Sequence, residues 1–243
     1  MPRPRVILIT RLGAALAEGL ARDGHRIAIH FRTSQADAEA TLAAIRKAGD
    51  EAELFPSALA DLGDGAELAA RVAERFGGLD TLINNAGTFV SRRFEELTLE
   101  EWRDGIASTA GAAFVATRGA LPLLRTSGRG RIINIGDSAA DRLAPAETAL
   151  GYYIGKVGVW MMTRTLAATE ARHRVTVNMV SPGVLEGSVC ATPREEMPLG
   201  RYGTPDDVLR PVRFLLDDAS EAVTGSSLHV GGGWNIFPEP VPE

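Results

Sequence analysis

Residues 6–31, VILITRLGAALAEGLARDGHRIAIHF, decide the fold. Val6 to Thr10 is a run of aliphatic residues without polar alternation, the pattern of a strand buried on both faces. Ala14 to Arg22 is rich in alanine and leucine at helical spacing, and Asp23-Gly24 stops it. Arg26 to Phe31 reads as a second buried strand. A strand, a helix and a strand in so short a span make a βαβ unit, with parallel strands and a right-handed crossover.

The same alternation continues outward. Ser34 is placed to cap a helix over Gln35–Lys47 that ends at Gly49. Further strands are predicted at Ala52–Phe55, Asp80–Asn84, Arg131–Ile135, Val175–Val180 and Ser227–Val230. Helices are predicted over Gly65–Phe76, in two stretches between Leu99 and Arg125, and over Tyr152–Arg172 and Pro205–Leu216. The expected fold is α/β: a Rossmann-type doubly wound parallel sheet of about seven strands, with helices on both faces. No composition break divides residues 1–243, so one domain is expected. Residues 183–203 form the one long irregular stretch and are expected to be a mobile substrate loop. Ligands of such sheets bind beyond the carboxyl ends of the strands, so Thr10, Phe31, Asn84, Ile135 and Val180 should converge on one site.

Composition narrows the function. The net charge of −5 offers no basic field for nucleic acid or an anionic membrane. No apolar run is long enough for a signal segment or a membrane span. Cys190 is the single cysteine, which excludes an internal disulfide and fits a cytoplasmic protein. His25, His30, His173 and His229 lack ligand spacing, so no metal is expected.

The chemistry concentrates in Tyr152-Tyr153-Ile154-Gly155-Lys156, a Tyr-x-x-x-Lys at the start of a helix. A spacing of four places the phenol and the ammonium on one helical face. A cation beside a phenol is expected to lower its pKa toward the range useful for proton exchange.

Several motifs in order then resemble the short-chain dehydrogenase/reductase family over nearly the whole chain. They are Asn84-Asn85-Ala86-Gly87, Arg131 to Ile135, Tyr152 with Lys156, Val177-Asn178 followed by Pro182-Gly183, and Pro198 to Arg201 with Thr224-Gly225. The resemblance implies a nicotinamide cofactor. Asn85, Ala86 and Gly87 would flank its adenosine half, Pro182 and Gly183 would lie beneath the nicotinamide, and Lys156 would hold the ribose beside Tyr152. It also implies a homodimer or homotetramer paired through the helices around residues 99–125 and 152–172.

Arg11-Leu12-Gly13, the run from His30 to Ser34 and Asp137 are similar to pteridine reductases, in which an aspartate takes the usual catalytic-serine position. Asp137 or Ser138 would then orient the substrate. Arg32, Thr33 and Ser34 follow the second strand, where an acid would repel a 2′-phosphate and arginine with hydroxyls would bind it. NADP(H) is therefore expected over NAD(H), with Arg11 and Leu12 also contributing. Asp61-Leu62 resembles the family's adenine-contacting pair. The expected reaction is hydride transfer to a carbonyl or imine of a small, possibly heterocyclic substrate, with Tyr152 as proton donor.

The glycine-rich turn departs from the pattern. Thr10-Arg11-Leu12-Gly13 reads as if about four residues of the family's phosphate-binding turn were missing. Ser108 stands where the family carries a structural asparagine, and Gly231 replaces an aspartate. These departures motivate the alternative of a non-redox lyase, isomerase or cyclase, or a binding protein, on the same scaffold.

Overall fold

The computed structural model describes residues 3–11, 13–85, 87–139, 143, 145–188 and 193–234. Leu12, Ala86, Cys190 and residues 189–192 of the expected substrate loop lie outside the described residues. Seven strands are present among the described residues: β1 (Val6–Ile9), β2 (Arg26–Phe31), β3 (Ala52–Pro56), β4 (Thr81–Asn84), β5 (Arg131–Ile135), β6 (Thr176–Pro182) and β7 (Ser227–Val230). They pair in the order β3-β2-β1-β4-β5-β6-β7, every pair parallel. The direction of winding reverses between β1 and β4, which is where ligand sites form in such sheets.

Among the described residues, seven α-helices cover the two faces: α1 (Ala14–Arg22), α2 (Gln35–Lys47), α3 (Leu62–Phe76), α4 (Leu99–Ile106), α5 (Ala112–Ser127), α6 (Leu150–Glu170) and α7 (Pro205–Leu216). Successive strand side chains point to opposite faces, so one strand feeds two cores. Val6 and Leu8 of β1 pack with Leu82, Ile132 and Val177 against Leu68 and Val72 of α3 and Leu121 and Leu124 of α5. Ile7 and Ile9 pack with Ile27, Ile29, Ile83 and Ile133 against Leu16 and Leu20 of α1 and Val212 of α7. Strands buried on both sides are why these segments read as continuous apolar runs.

Some boundaries differ from the sequence reading, each for a local reason. α3 begins at Leu62 because the Asp61 carboxylate accepts the Asp64 amide at 3.0 Å and caps the helix. Gly65 in its first turn serves packing: a Cβ there would fall 2.2 Å from the carbonyl oxygen of Val115 on α5. Ser34 occupies the N-cap position of α2, but its side chain makes no capping bond, contrary to expectation. A π-helical turn, Ala107–Gly111, joins α4 to α5. Among the described residues no helix is long and apolar enough to cross a membrane.

Candidate active site

Tyr152 owes its position to two helices that touch backbone to backbone. A Cβ on Gly105 of α4 would lie 2.8 Å from the carbonyl carbon of Gly151, and one on Gly151 of α6 would lie 2.6 Å from the Trp102 carbonyl oxygen. One turn on, a Cβ on Gly155 would strike Thr109 at 2.6 Å. These contacts fix the first turns of α6, which carry Tyr152 and Lys156. Gly87 completes the seat: at φ +153°, in a region that favours glycine, it lies where a Cβ would meet the Tyr152 ring at 2.8 Å. Beneath the site, Asn84 Nδ2 donates to Thr117 Oγ1 (3.1 Å) and to Asn134 Oδ1 (2.8 Å), and Asn134 Nδ2 donates to Thr163 Oγ1 (2.8 Å). That buried polar chain ties β4 and β5 to α5 and α6.

A cavity of about 320 Å³ opens here, lined by Asn85, Gly87, Asp137, Ser138, Tyr152 and Lys156 on one side. Pro182, Gly183, Val184 and Leu185 from the end of β6 line it too, with Phe89, Tyr153 and Trp234 as its aromatic wall. Phe89 meets Tyr152 and Tyr153 edge-on, with ring centroids 5.3 and 6.3 Å away. Ser138 is buried, and its amide donates to the Pro182 carbonyl (2.9 Å).

The electrostatics correct one expectation. The Lys156 ammonium lies 5.3 Å from the Tyr152 ring centroid and donates to the Ile135 carbonyl at 2.6 Å. The Tyr152 phenol is pushed up from its ordinary pKa, first by burial and then by the charges of Asp137 and Tyr153. Tyr152 therefore holds its proton firmly. Burial pushes Lys156 down to about 8, with Asp137 opposing and Arg11 reinforcing the shift. Burial also raises the Asp137 carboxyl above the usual carboxylate range, against the Ala139 amide that it accepts (2.9 Å) and the nearby Lys156 charge.

The short β1–α1 turn is held by side chains. The Arg11 amide donates to His30 Nδ1 (3.1 Å), and His30 Nε2 lies 3.0 Å from the Ser57 carbonyl oxygen. Those two partners fix the tautomer, with the proton on Nε2. Burial lowers the His30 pKa, so the ring is neutral. Asn85 donates from its amide to Thr10 Oγ1 (3.1 Å) and from Nδ2 to the Arg11 carbonyl (3.2 Å). The Arg11 guanidinium reaches across to Thr88 Oγ1 (2.8 Å), whose own amide donates to Ser108 Oγ (3.1 Å). Ser108 thus anchors the loop after β4.

Arg11, His30, Arg32 and Ser108 line a second cavity of about 370 Å³ at the same sheet edge. Ala58, Leu59 and Ala60 form its floor after β3. Asp61 and Leu62, expected to touch adenine, stand outside both cavities; Asp61 caps α3 and Leu62 is exposed. Thr33 and Ser34 are exposed beyond Arg32 and line neither cavity. His30 enters the sequence reading within the His30–Ser34 run, and neither it nor Phe89 is assigned a role in the site. Their signal was position alone, at the end of β2 and in the loop after β4.

Relatives share this architecture. The sequence profile of a family described as enoyl-(acyl carrier protein) reductase matches residues 10–235. The chain is 31% identical over 244 residues to a 2,5-dichloro-2,5-cyclohexadiene-1,4-diol dehydrogenase of Sphingobium indicum, covering 96% of each. It is 31% identical over 232 residues to a 3-oxoacyl-[acyl-carrier-protein] reductase of Synechocystis, covering 93% of each. A crystal structure of a variant actinorhodin polyketide ketoreductase with NADPH superposes with a TM-score of 0.87 at 28% identity, covering 98% of this chain and 100% of that one. With the profile spanning most of its length and curated relatives above 30% identity, the chain belongs to the short-chain dehydrogenase/reductase family, whose members are oxidoreductases that use nicotinamide cofactors.

Proposed function

We propose that this chain is an NADP(H)-dependent reductase that reduces a carbonyl or imine of a small, flat substrate, with Tyr152 as the proton donor. The observation that carries the reading is the Tyr152 phenol lining one cavity with Lys156, Asp137, Ser138, Pro182 and Gly183.

The residues present suit a dinucleotide at both ends of the crevice. Lys156, Pro182 and Gly183 would hold the nicotinamide riboside end, and Arg11 with Arg32 would hold a 2′-phosphate. Burial and the charge of Arg32 hold the Arg11 guanidinium below its ordinary pKa, so an anion there relieves repulsion. Glu101 and Asp104 of α4 share that cavity, but Glu101 is engaged by Arg92 and Thr98. In place of the family's glycine-rich turn, the Arg11 side chain and the first-turn amides of α1, which follow Gly13 without a side-chain cap, would supply donors to the phosphates. The family neighbour solved with NADPH supports the same choice of cofactor.

The bound nicotinamide supplies the hydride. Tyr152 keeps its proton until negative charge develops on the substrate heteroatom and then donates it as the general acid. Lys156 offsets the phenolate that remains, and Asp137 or Ser138 orients the substrate by hydrogen bonding. Asp137, with its raised pKa, can donate as a carboxylic acid or accept from a ring N–H. Phe89, Tyr153 and Trp234 favour a flat ring. A second copy would pair through α5 and α6, where Phe114 and Met161 are exposed beside Leu121 and Leu166 in an apolar groove.

Calorimetric titration with NADPH and NADH, followed by a turnover screen of carbonyl and pterin substrates, tests the reading. Saturable binding is expected, with NADPH tighter than NADH by about tenfold or more. If neither dinucleotide binds, the cofactor-free alternative, motivated by the short turn, takes its place.

A further inference from the structure

The opposite edge of the sheet carries a second charged cavity. Arg3, Arg129, Arg131 and Arg174 line a space of about 720 Å³ with Asp218 and Glu221, at the amino ends of β5 and β6. Arg131 is 3% exposed, and among the described residues its ion pairing is confined to a long contact with Asp218. Its Nη1 donates to the carbonyls of Arg129 (3.3 Å) and Gly130 (3.1 Å), and Asp218 approaches only to 4.0 Å. Its Nε is buried without a hydrogen-bond partner. Asp218 is committed to an ion pair with Arg5, a residue that burial and the neighbouring Arg131 push down to about 10. Arg129 spends Nε and Nη2 on Asp80, while its Nη1 is buried and unpartnered.

Among the described residues, Arg3, Arg5, Arg129, Arg131 and Arg174 thus gather around Asp80, Asp218 and Glu221, an excess of cations in a chain of net charge −5. A buried guanidinium with an idle donor and no close counter-ion is costly unless an anion joins it. Guanidinium groups match the oxygens of phosphate in geometry and charge.

We propose that this cavity binds the phosphate group of an anionic ligand through Arg131, Arg129 and Arg174. The site is distinct from the cofactor crevice. Arg131 opens β5 at this edge, whereas Asp137 lies just past Ile135 at the other end of the same strand. The cavity exceeds the volume of a phosphate ion, so a phosphate ester fits as well as the free ion.

The test is calorimetric titration of the intact protein with inorganic phosphate and with phenyl phosphate, at constant ionic strength set with chloride. Saturable binding is expected, weakened about tenfold or more by R131Q and severalfold by R174A, while R32A removes only the separate contribution of the cofactor crevice. Tighter phenyl phosphate identifies an ester as the ligand, and tighter inorganic phosphate identifies the free ion. The proposal is overturned if binding is absent, if R131Q and R174A leave it intact, or if R32A abolishes it, which would place phosphate in the crevice. Arg174 is exposed, so R174A decides the matter even if R131Q does not fold.

Discussion

At one end of the crevice Tyr152 and Lys156 stand on a helix held by glycine contacts between α4 and α6; at the other, a short turn after β1 is held by the side chains of Arg11, His30 and Asn85. The first arrangement depends on backbone shape, and side-chain substitutions have little room in it. The second depends on a few hydrogen bonds that individual replacements can remove. The comparison teaches where this scaffold tolerates change: the Tyr152 end is rigid, and the turn after β1 rests on the contacts of an arginine, a histidine and an asparagine.

The sharpest break at the rigid end is Tyr152→Phe. Turnover should fall by about 10²–10⁴-fold, with NADPH affinity changing no more than severalfold. Retained turnover in steady-state assays would remove Tyr152 from its role. Next comes Gly105→Ala, which introduces a methyl 2.8 Å from the backbone of α6. Overpacking there should cost about 3 kcal/mol, partly offset by the better helix propensity of alanine, and should displace the turn carrying Tyr152. Urea unfolding and turnover should fall together; full stability would show that the helices are free to separate.

Lys156 sets the third prediction. Its pKa in the folded chain, about 8, lies below the ordinary lysine value of 10.5. Between those values the unfolded chain binds more protons than the folded one, so this group's contribution makes stability rise with pH across that window. Tyr152, whose pKa is raised, acts oppositely only above about pH 10, where the unfolded phenol ionises. Wild type should therefore gain on Lys156→Met by about 2 kcal/mol between pH 7.5 and 9.5. Parallel stability curves for the two proteins would contradict a buried, charged Lys156.

Removing Arg32 is a smaller perturbation at the other end of the crevice. Arg32→Ala should lower NADPH affinity about tenfold and leave NADH nearly untouched, closing the gap between the cofactors. Equal losses for both would mean that Arg32 serves the fold rather than the 2′-phosphate.

The sheet was legible because its central strands are buried on both faces and read as nearly uninterrupted apolar runs; β2, β5, β7, α1, α2 and α7 fall on the residues predicted. Tyr152, Lys156, Asp137 and Ser138 share one cavity, as their motif order implied. The direction of the Tyr152 shift was not legible, since it depends on burial and on Asp137 from another element, neither of which spacing reveals. Nor did pattern show that His30, a plain strand residue by sequence, would secure the turn after β1 through Arg11.

The smallest expected effect separates a resemblance from a geometry. Asp61-Leu62 looks like an adenine-contacting pair in sequence, yet Asp61 accepts the Asp64 amide at 3.0 Å, and Asp64 in turn accepts the Ala60 amide at 2.7 Å. That reciprocal cap explains why an acid stands at position 61 without any nucleotide, and the cavity floor belongs to Ala58, Leu59 and Ala60. Asp61→Ala should therefore cost about 1 kcal/mol of stability, the usual loss for an N-cap, and leave NADPH affinity unchanged. Calorimetry on this variant decides between the two roles. A tenfold loss of affinity with normal stability would return Asp61 to the cofactor, whereas the reverse pattern fixes it as the start of α3.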